Sequence, residues 1–459
     1  MAEQSNTRLG SGLKTRHLTM MGLGSAIGAG LFLGTGVGIR AAGPAVLVAY
    51  IIAGMIVVAI MQMLGEMAAA HPSSGSFSSY SRQAFGRWAG FTVGWLYWFM
   101  LVMVLGAEMT GASAIMGAWF GVEPWIPALV CVVFFAIVNF AQVRGFGEFE
   151  FWFSFIKVAV IIGFMVIGIA LWLGLLPGTS FVGTANIVAS GFAPNRLPGI
   201  AAGLLAVAFA FGGIELVTIA AAESEDPARS IATAVRSVIL RISVFYLGSV
   251  LIIILLLPYE RIDNAETAAE SPFTQVLEMA NIPGVVGFME AVIVLALLSA
   301  FNAQIYGTSR IAHNLALEGD APAILGRTNK ANVPINSVVL SMVFAFLSVG
   351  LQWWNPVGLL DFLLNAVGGS LMVVWFMIAL SFIKLHPQLV ANGQITTVRV
   401  KGWPWVPWLT VAALLGLTVL MLFDDAARAQ IVAVAILTAG LAILSVFAKN
   451  KTYRPKENV

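Results

Sequence analysis

The sequence predicts an all-α polytopic membrane protein. It has twelve transmembrane helices, with a five-plus-five inverted repeat, discontinuous helices 1 and 6, and two helices appended. Three observations predict this. Of 459 residues, 59% are hydrophobic and 10% charged, whereas a soluble domain has roughly 45–50% apolar and 25% charged residues. Twelve apolar runs long enough for a bilayer are separated by polar breaks. Two of those runs carry glycine-rich interruptions at corresponding places in the two halves.

The runs cover residues 19–40, 44–70, 89–118, 124–142, 149–175, 198–221, 236–257, 284–310, 335–353, 357–384, 404–423 and 429–447. The polar stretches 71–87, 178–198 and 260–283 mark the clearest breaks. The regions after Gly86 and Pro283 are long, so helices three and eight are expected to tilt or to extend past the membrane. With the N-terminus inside, nineteen of the 24 basic residues fall in inside loops or at inside span ends, Arg241 among them. Arg40, Arg196, Arg261 and Arg428 fall outside, and Lys157 lies within span five. This asymmetry puts both termini in the cytoplasm. Trp88, Trp119, Trp125, Trp172, Trp353, Trp403 and Trp408 lie near span ends, as an interfacial belt requires.

The expected organisation is one transporter domain over 1–459. It comprises a cytoplasmic tail 1–18, a first repeat 19–175, a second repeat 198–384, helices 11 and 12 over 404–447, and a tail 448–459. Met1–His17 is polar and leads into a full-length span, so no cleavable signal is expected. The lone Cys131 rules out an intrachain disulfide and a cysteine metal cluster. His17, His71, His313 and His386 fall in loops or at span ends, and there is no H-E-x-x-H, GxSxG or P-loop. Neither an enzyme, a cofactor, a bound metal nor a nucleic-acid partner is therefore expected.

Span one is the most informative stretch. It carries Gly22, Gly24, Gly28, Gly30, Gly34, Gly36 and Gly38 with Ser25 and Thr35, although each glycine in a helix interior costs roughly 1 kcal/mol relative to Ala. Two readings are open and compatible. Small residues four apart let helix backbones pack closely. A helix unwound near Ser25–Gly30 frees amides for a solute carboxylate. The matching interruption in span six is Gly212-Gly213, preceded by Phe209 and Phe211. Aromatic rings there are either packing or a cover over a bound solute.

Ionisable residues inside spans are expensive and few. Lys157 sits about 12 Å along span five. It either snorkels to the surface or faces the interior, where desolvation lets a lysine exchange a proton during a cycle. Glu108, in span three beside Gly106, Thr110 and Gly111, reads either as a hydrogen-bonded carboxyl or as a proton carrier. Glu215, after the span-six break, reads as a gate, a proton carrier or an anchor. Ser299 and Asn302 could bond between helices or supply polar contacts to the bundle. Glu66 reads as structural.

These residues resemble a known family, the amino acid–polyamine–organocation superfamily. Within it, the chain is most similar to the bacterial branch of permeases for aromatic amino acids, proline and γ-aminobutyrate, and to the aromatic amino acid permeases of actinobacteria in particular. The resemblance rests on GLGSAIGAGLFLGTG, AGPAVLVAY, GEMAAAHPSSGSFSSY, GRWAGFTVGWLYW, GEFEFWFSFIKV, FAFGGIELVTIAAAESEDP, SAFNAQIYGTSR and GDAP. It covers essentially the whole chain. It implies a substrate held by span-one backbone around Gly28, Ala29 and Gly30 and by span-six carbonyls near Phe209, Ala210 and Gly212; Ser25, Ala26 and Phe211 beside the two interruptions complete the expected substrate-binding set. It implies proton rather than sodium coupling, with Lys157 standing where sodium-coupled relatives bind sodium, Ser299 near it, and Glu215 matching a span-six glutamate of some relatives; Glu108 joins them as a proton-coupling candidate from its place inside span three. Ala29 departs from relatives that carry Ser there, which leaves backbone amides to meet the carboxylate. The expected function is proton-coupled uptake of neutral amino acids, Phe, Tyr and Trp, across a bacterial cytoplasmic membrane. The alternatives are a γ-aminobutyrate or proline permease, or a non-transporting sensor, for which the tails are short.

Overall fold

Backbone inside hydrocarbon must satisfy its own N–H and C=O groups, and the helix does so locally. The computed structural model describes residues 27–73, 76–140, 146–215, 218, 226–263, 271–329, 333–395, 397–423 and 425–448. Span one is carried by α1 (Ala29–Phe32) and α2 (Gly34–Ala42), and span two by α3 (Val46–Ala70). A short α4 (Ser76–Phe85) precedes α5 (Arg87–Phe120), which is span three. Spans four and five are α6 (Trp125–Phe140) and α7 (Phe146–Trp172). After α8 (Ala185–Ser190), α9 (Arg196–Ala210) holds the first part of span six. Span seven runs through α10 (Pro227–Leu240), a π-helical segment Arg241–Tyr246 and α11 (Leu247–Leu256). The short α12 (Tyr259–Asp263) and α13 (Pro272–Glu278) lead to α14 (Val285–Leu317), span eight. Spans nine to twelve are α15 (Ile335–Trp354), α16 (Leu359–Ala391), α17 (Trp405–Met421) and α18 (Asp425–Phe447). Among the described residues, eight helical stretches are long and apolar enough to cross a membrane.

At 1.5 Å per residue, the 34 residues of α5 reach about 51 Å, well beyond a hydrocarbon core of about 30 Å. The 33 residues of α14 and of α16 do the same. These extensions have a consequence that hydropathy could not give. α14 runs on past 310 and α16 past 384, so His313 and His386 are buried on helical extensions rather than lying in loops.

α5, α14 and α16 form the centre, and α9 is wedged against α2, α3 and α16. α17 and α18 lie at the periphery, where Trp405, Leu409, Ile436 and Val446 are exposed. In a bilayer, apolar exposure of this kind faces lipid tails, which are as apolar as Leu.

Glycine supplies the close approaches. A Cβ on Gly368 of α16 would strike the Leu205 carbonyl oxygen of α9, and one on Gly199 would strike the Ala41 oxygen of α2. Gly203 meets the Gly38 oxygen in the same seam. The close-packing reading of the span-one glycines therefore holds for Gly38. It holds also for Gly30, whose added Cβ would sit 2.7 Å from Ala210 Cα. Because that contact is with backbone, no side-chain rotation relieves it.

Ion pairs hold each end of the bundle. At one end, Arg82 pairs with Glu318 at 2.9 Å and with Asp320, and Arg87 pairs with Asp320 at 2.9 Å. Asp320 belongs to the GDAP stretch, and its side chain is fully buried between the two guanidinium groups. At the other end, Arg40 in the last turn of α2 approaches Asp361 of α16 at 3.4 Å, and the Tyr259 hydroxyl donates to the Arg40 carbonyl.

The Gly30–Ala210 contact predicts that Gly30→Ala lowers stability by about 1–3 kcal/mol through overpacking. Gly163→Ala on α7, where an added Cβ meets nothing within 4 Å, is expected to stay within about 1 kcal/mol of the parent. Thermal unfolding of the two purified variants checks this. Equal transitions would remove the close approach as a constraint.

Candidate functional site

The described part of span one begins at the predicted interruption. Gly28 is non-helical, with φ −153° and ψ −145°, and α1 starts at Ala29. Its carbonyl accepts from Leu31 N at 3.2 Å and Phe32 N at 3.1 Å. The Ala29 N–H, freed by the helix start, donates to Glu108 Oε2 of α5 at 2.9 Å. A Cβ on Gly28 would sit 2.5 Å from Glu108 Oε1, so the glycine makes room for the carboxyl. Glu108 is buried. Ser25 and Ala26 lie outside the described residues.

α9 ends at Ala210, fifteen residues after it begins, which is about 22 Å and short of a full crossing. Phe211 N donates to the Ala208 oxygen at 3.1 Å, and Gly212 N donates to the Phe209 oxygen at 2.8 Å. Residues 211–215 form turns, and Gly213 has φ +84°, which favours glycine. The Phe209 ring lies over Gly34 of α2, 3.5 Å from where a Cβ would be. Phe211 turns elsewhere, its ring 5.9 Å from Tyr50 and 5.2 Å from Tyr246 between centroids. Gly212 faces Leu371 and Val367 of α16. The two interruptions meet, since Gly30 packs on Ala210.

Lys157 of α7 is fully buried, and its Nζ donates to Ser299 Oγ of α14 at 3.0 Å. The ammonium faces protein, not the surface. Its charge also acts on Glu108. Asn302, one turn on from Ser299, accepts from Asn139 Nδ2 of α6 at 2.9 Å.

Glu215 is buried at the end of the span-six turns, and its Oε1 accepts from Trp375 Nε1 of α16 at 2.7 Å. Tyr97 of α5 is a neighbour of this carboxyl. Arg241 acts on the same carboxyl. Arg241, counted among the inside span-end cations, lies within span seven. It is fully buried in the π-helical segment of span seven. A charged residue five places into an apolar run was the available signal. Glu66 has a structural environment: Oε1 lies 2.5 Å from His386 Nδ1, and Oε2 accepts from Val400 N at 2.6 Å.

Two further residues join the region without any sequence signal of their own. Trp375 lies mid-way along α16 in an apolar run. Gln304 of α14 is buried 3.8 Å from where a Gly213 Cβ would stand, and its Oε1 has no hydrogen-bond partner among the described residues. No group of three or more His, Cys, Asp or Glu suited to a metal ion occurs among the described residues.

A family model described as amino acid permease matches residues 17–459. The aromatic amino acid transport protein AroP of Corynebacterium glutamicum is 69% identical over 452 residues, covering 98% of each chain. The γ-aminobutyric acid permease of Bacillus subtilis is 39% identical over 98% of this chain and 96% of its own. Among solved structures, a manganese transporter of Eremococcus coleocola superposes with a TM-score of 0.57 over 97% of this chain and 99% of its own, at 14% identity. That likeness is one of fold.

The Glu108–Ala29 bond predicts a difference between two substitutions. Glu108→Gln keeps an oxygen acceptor for the amide. Glu108→Leu leaves a buried donor unmet, at about 1–3 kcal/mol. Thermal unfolding should place the Leu variant clearly below the Gln variant, and coincident transitions would show that the bond carries no weight.

Proposed function

The chain belongs to the amino acid permease family, and on that premise we propose that it imports neutral aromatic amino acids, Phe, Tyr and Trp, together with a proton. The observation that carries the substrate class is the 69% identity, over 98% of both chains, to a protein named for aromatic amino acid transport. The protein is a multi-pass membrane protein. We place it in a bacterial cytoplasmic membrane with both termini inside, as the loop charges argue. The proposal keeps a single transporter domain built from the two repeats and ascribes no catalysis to it.

The geometry supports a site where the two interruptions meet. The substrate carboxylate would take backbone amides at the start of α1, and Ser25 and Ala26 would extend that surface. The substrate amine would take carbonyls at the end of α9, near Phe209, Ala210 and Gly212. Phe209 would cover the site, while Phe211 would hold the turn against Tyr50 and Tyr246. In the structure the Ala29 amide is engaged by Glu108, so an arriving carboxylate would compete with a carboxylate of the protein. A proton on Glu108 weakens it as an acceptor and lifts its repulsion of the substrate. Lys157, joined to Ser299, supplies a second group whose charge changes with the cycle. Glu215, bonded to Trp375, would join spans six and ten on the far side of the break.

One charge moving down 100 mV supplies about 2.3 kcal/mol, roughly a 50-fold accumulation per proton for a neutral substrate. Labelled phenylalanine uptake into proteoliposomes with an inward proton gradient tests the reading. Tyrosine and tryptophan should compete, while proline and γ-aminobutyrate should not. Lys157→Ala should lose gradient-driven accumulation, and unchanged pH dependence in that variant would overturn the role of the lysine. Accumulation of γ-aminobutyrate with phenylalanine ignored would favour the second reading, which the 39% identity to a γ-aminobutyric acid permease supports.

A further inference from the structure

A cavity of about 800 Å³ opens at the end of α16, away from both interruptions. The segment joining α16 to α17 forms one wall, with Arg399, Lys401 and Trp403, and His386 and Val390 of α16 form the other. Arg399 and Lys401 are exposed, and neither forms an ion pair among the described residues. The carboxylate joined to this wall is Glu66, and it is fully used. One oxygen meets His386 and the other takes the Val400 amide. Those bonds fix the backbone on which both cations are carried. The His386 ring is in turn held against Trp403, 4.3 Å between centroids and 32° between planes. The floor is therefore held in place, and the two cations have no ion-pair partner among the described residues.

The surroundings specify the kind of anion. Immediately after Trp403, α17 begins, and Trp405, Trp408 and Leu409 on it are exposed at 72%, 52% and 64%. Positions i, i+3 and i+4 share a helix face, so an apolar stripe runs from the mouth of the cavity along the outside of the bundle. A soluble anion would have no use for that stripe, whereas an acyl chain would.

We infer that the cavity lined by Arg399, Lys401 and Trp403 is a binding site for the phosphate of an anionic phospholipid, with its acyl chains lying along α17. The lipid belongs to the leaflet that borders this segment. It neutralises the two cations and ties the α16–α17 connection to the membrane, and it is independent of the amino acid site.

The test uses the full-length protein in a neutral detergent, so it depends neither on transport nor on orientation. Thermal unfolding is followed while phosphatidylglycerol, phosphatidylcholine or inorganic phosphate is added at matched ionic strength. Phosphatidylglycerol should raise Tm in a saturable way, as binding to the folded state requires, and phosphatidylcholine should not. Each cation near an anionic headgroup is worth about fivefold in affinity, so Arg399→Gln/Lys401→Gln should weaken the lipid response about 25-fold. Arg428→Gln, beyond the far end of α17, should leave the response intact. Where the double variant does not purify folded, Lys401→Gln alone carries the test, with a shift of about fivefold. A double variant that responds like the parent overturns the site. An equal response to inorganic phosphate overturns the lipid as its source.

Discussion

An amide at membrane depth without an acceptor is the constraint on which the centre of this bundle turns. A helix that starts inside the bilayer leaves its first N–H groups unmet, and no water is at hand in hydrocarbon. The Ala29 amide is met by Glu108 from α5. The bond requires Gly28, because any side chain there would strike the carboxyl. It also requires Glu108 to be buried, which a lone carboxylate resists. The interrupted helix, the glycine and the intramembrane acid are thus one solution to one problem. Anything else that binds the same amides must displace the acid.

The same economy governs the rest of the interior. Three polar pairs each join a different couple of elements. Glu108 joins α5 to α1, Lys157 joins α7 to α14, and Glu215 joins the span-six turns to α16. Between them the backbones approach through Gly30, Gly199, Gly203 and Gly368, since association in lipid relies on packing and interhelical hydrogen bonds rather than on expulsion of water. Charges that would be costly inside are paired at the ends. Asp320, buried between Arg82 and Arg87, is the densest case, and removing one partner from such a group is far more damaging than the net worth of the pair. The result is a bundle with fixed ends and a centre whose polar contacts are few and specific, an arrangement suited to two alternative states.

Much of this was legible in the residues. Composition and hydropathy give the class and the spans because the bilayer sets a length and a polarity that any crossing segment must meet. Glycine clusters mark the interruptions because glycine is disfavoured in a plain helix. The family motifs point to Lys157 and Ser299 together, and the structure joins them. Other features were not legible. Arg241 counts as an inside cation by its place near a span end, and its full burial in a π-helical segment is not marked there. His313 and His386 lie past the predicted ends of their spans but on helices that continue. Phe209 and Phe211 look equivalent in sequence, and their rings go to different neighbours.

The sequence by itself determined the helical membrane class, where two of the apolar runs break, and that Glu108, Lys157 and Glu215 fall inside such runs. Each of these follows from local composition against a solvent of fixed thickness. Only the tertiary structure decided who meets whom: Glu108 with the Ala29 amide, Glu215 with Trp375, Gln304 with the span-six turn, Glu66 with His386. The reason is geometric. Successive residues on a helix point about 100° apart, so a partner is chosen by the rotation and tilt of each helix. Those are set by packing across residues far apart in the chain, which no local pattern records.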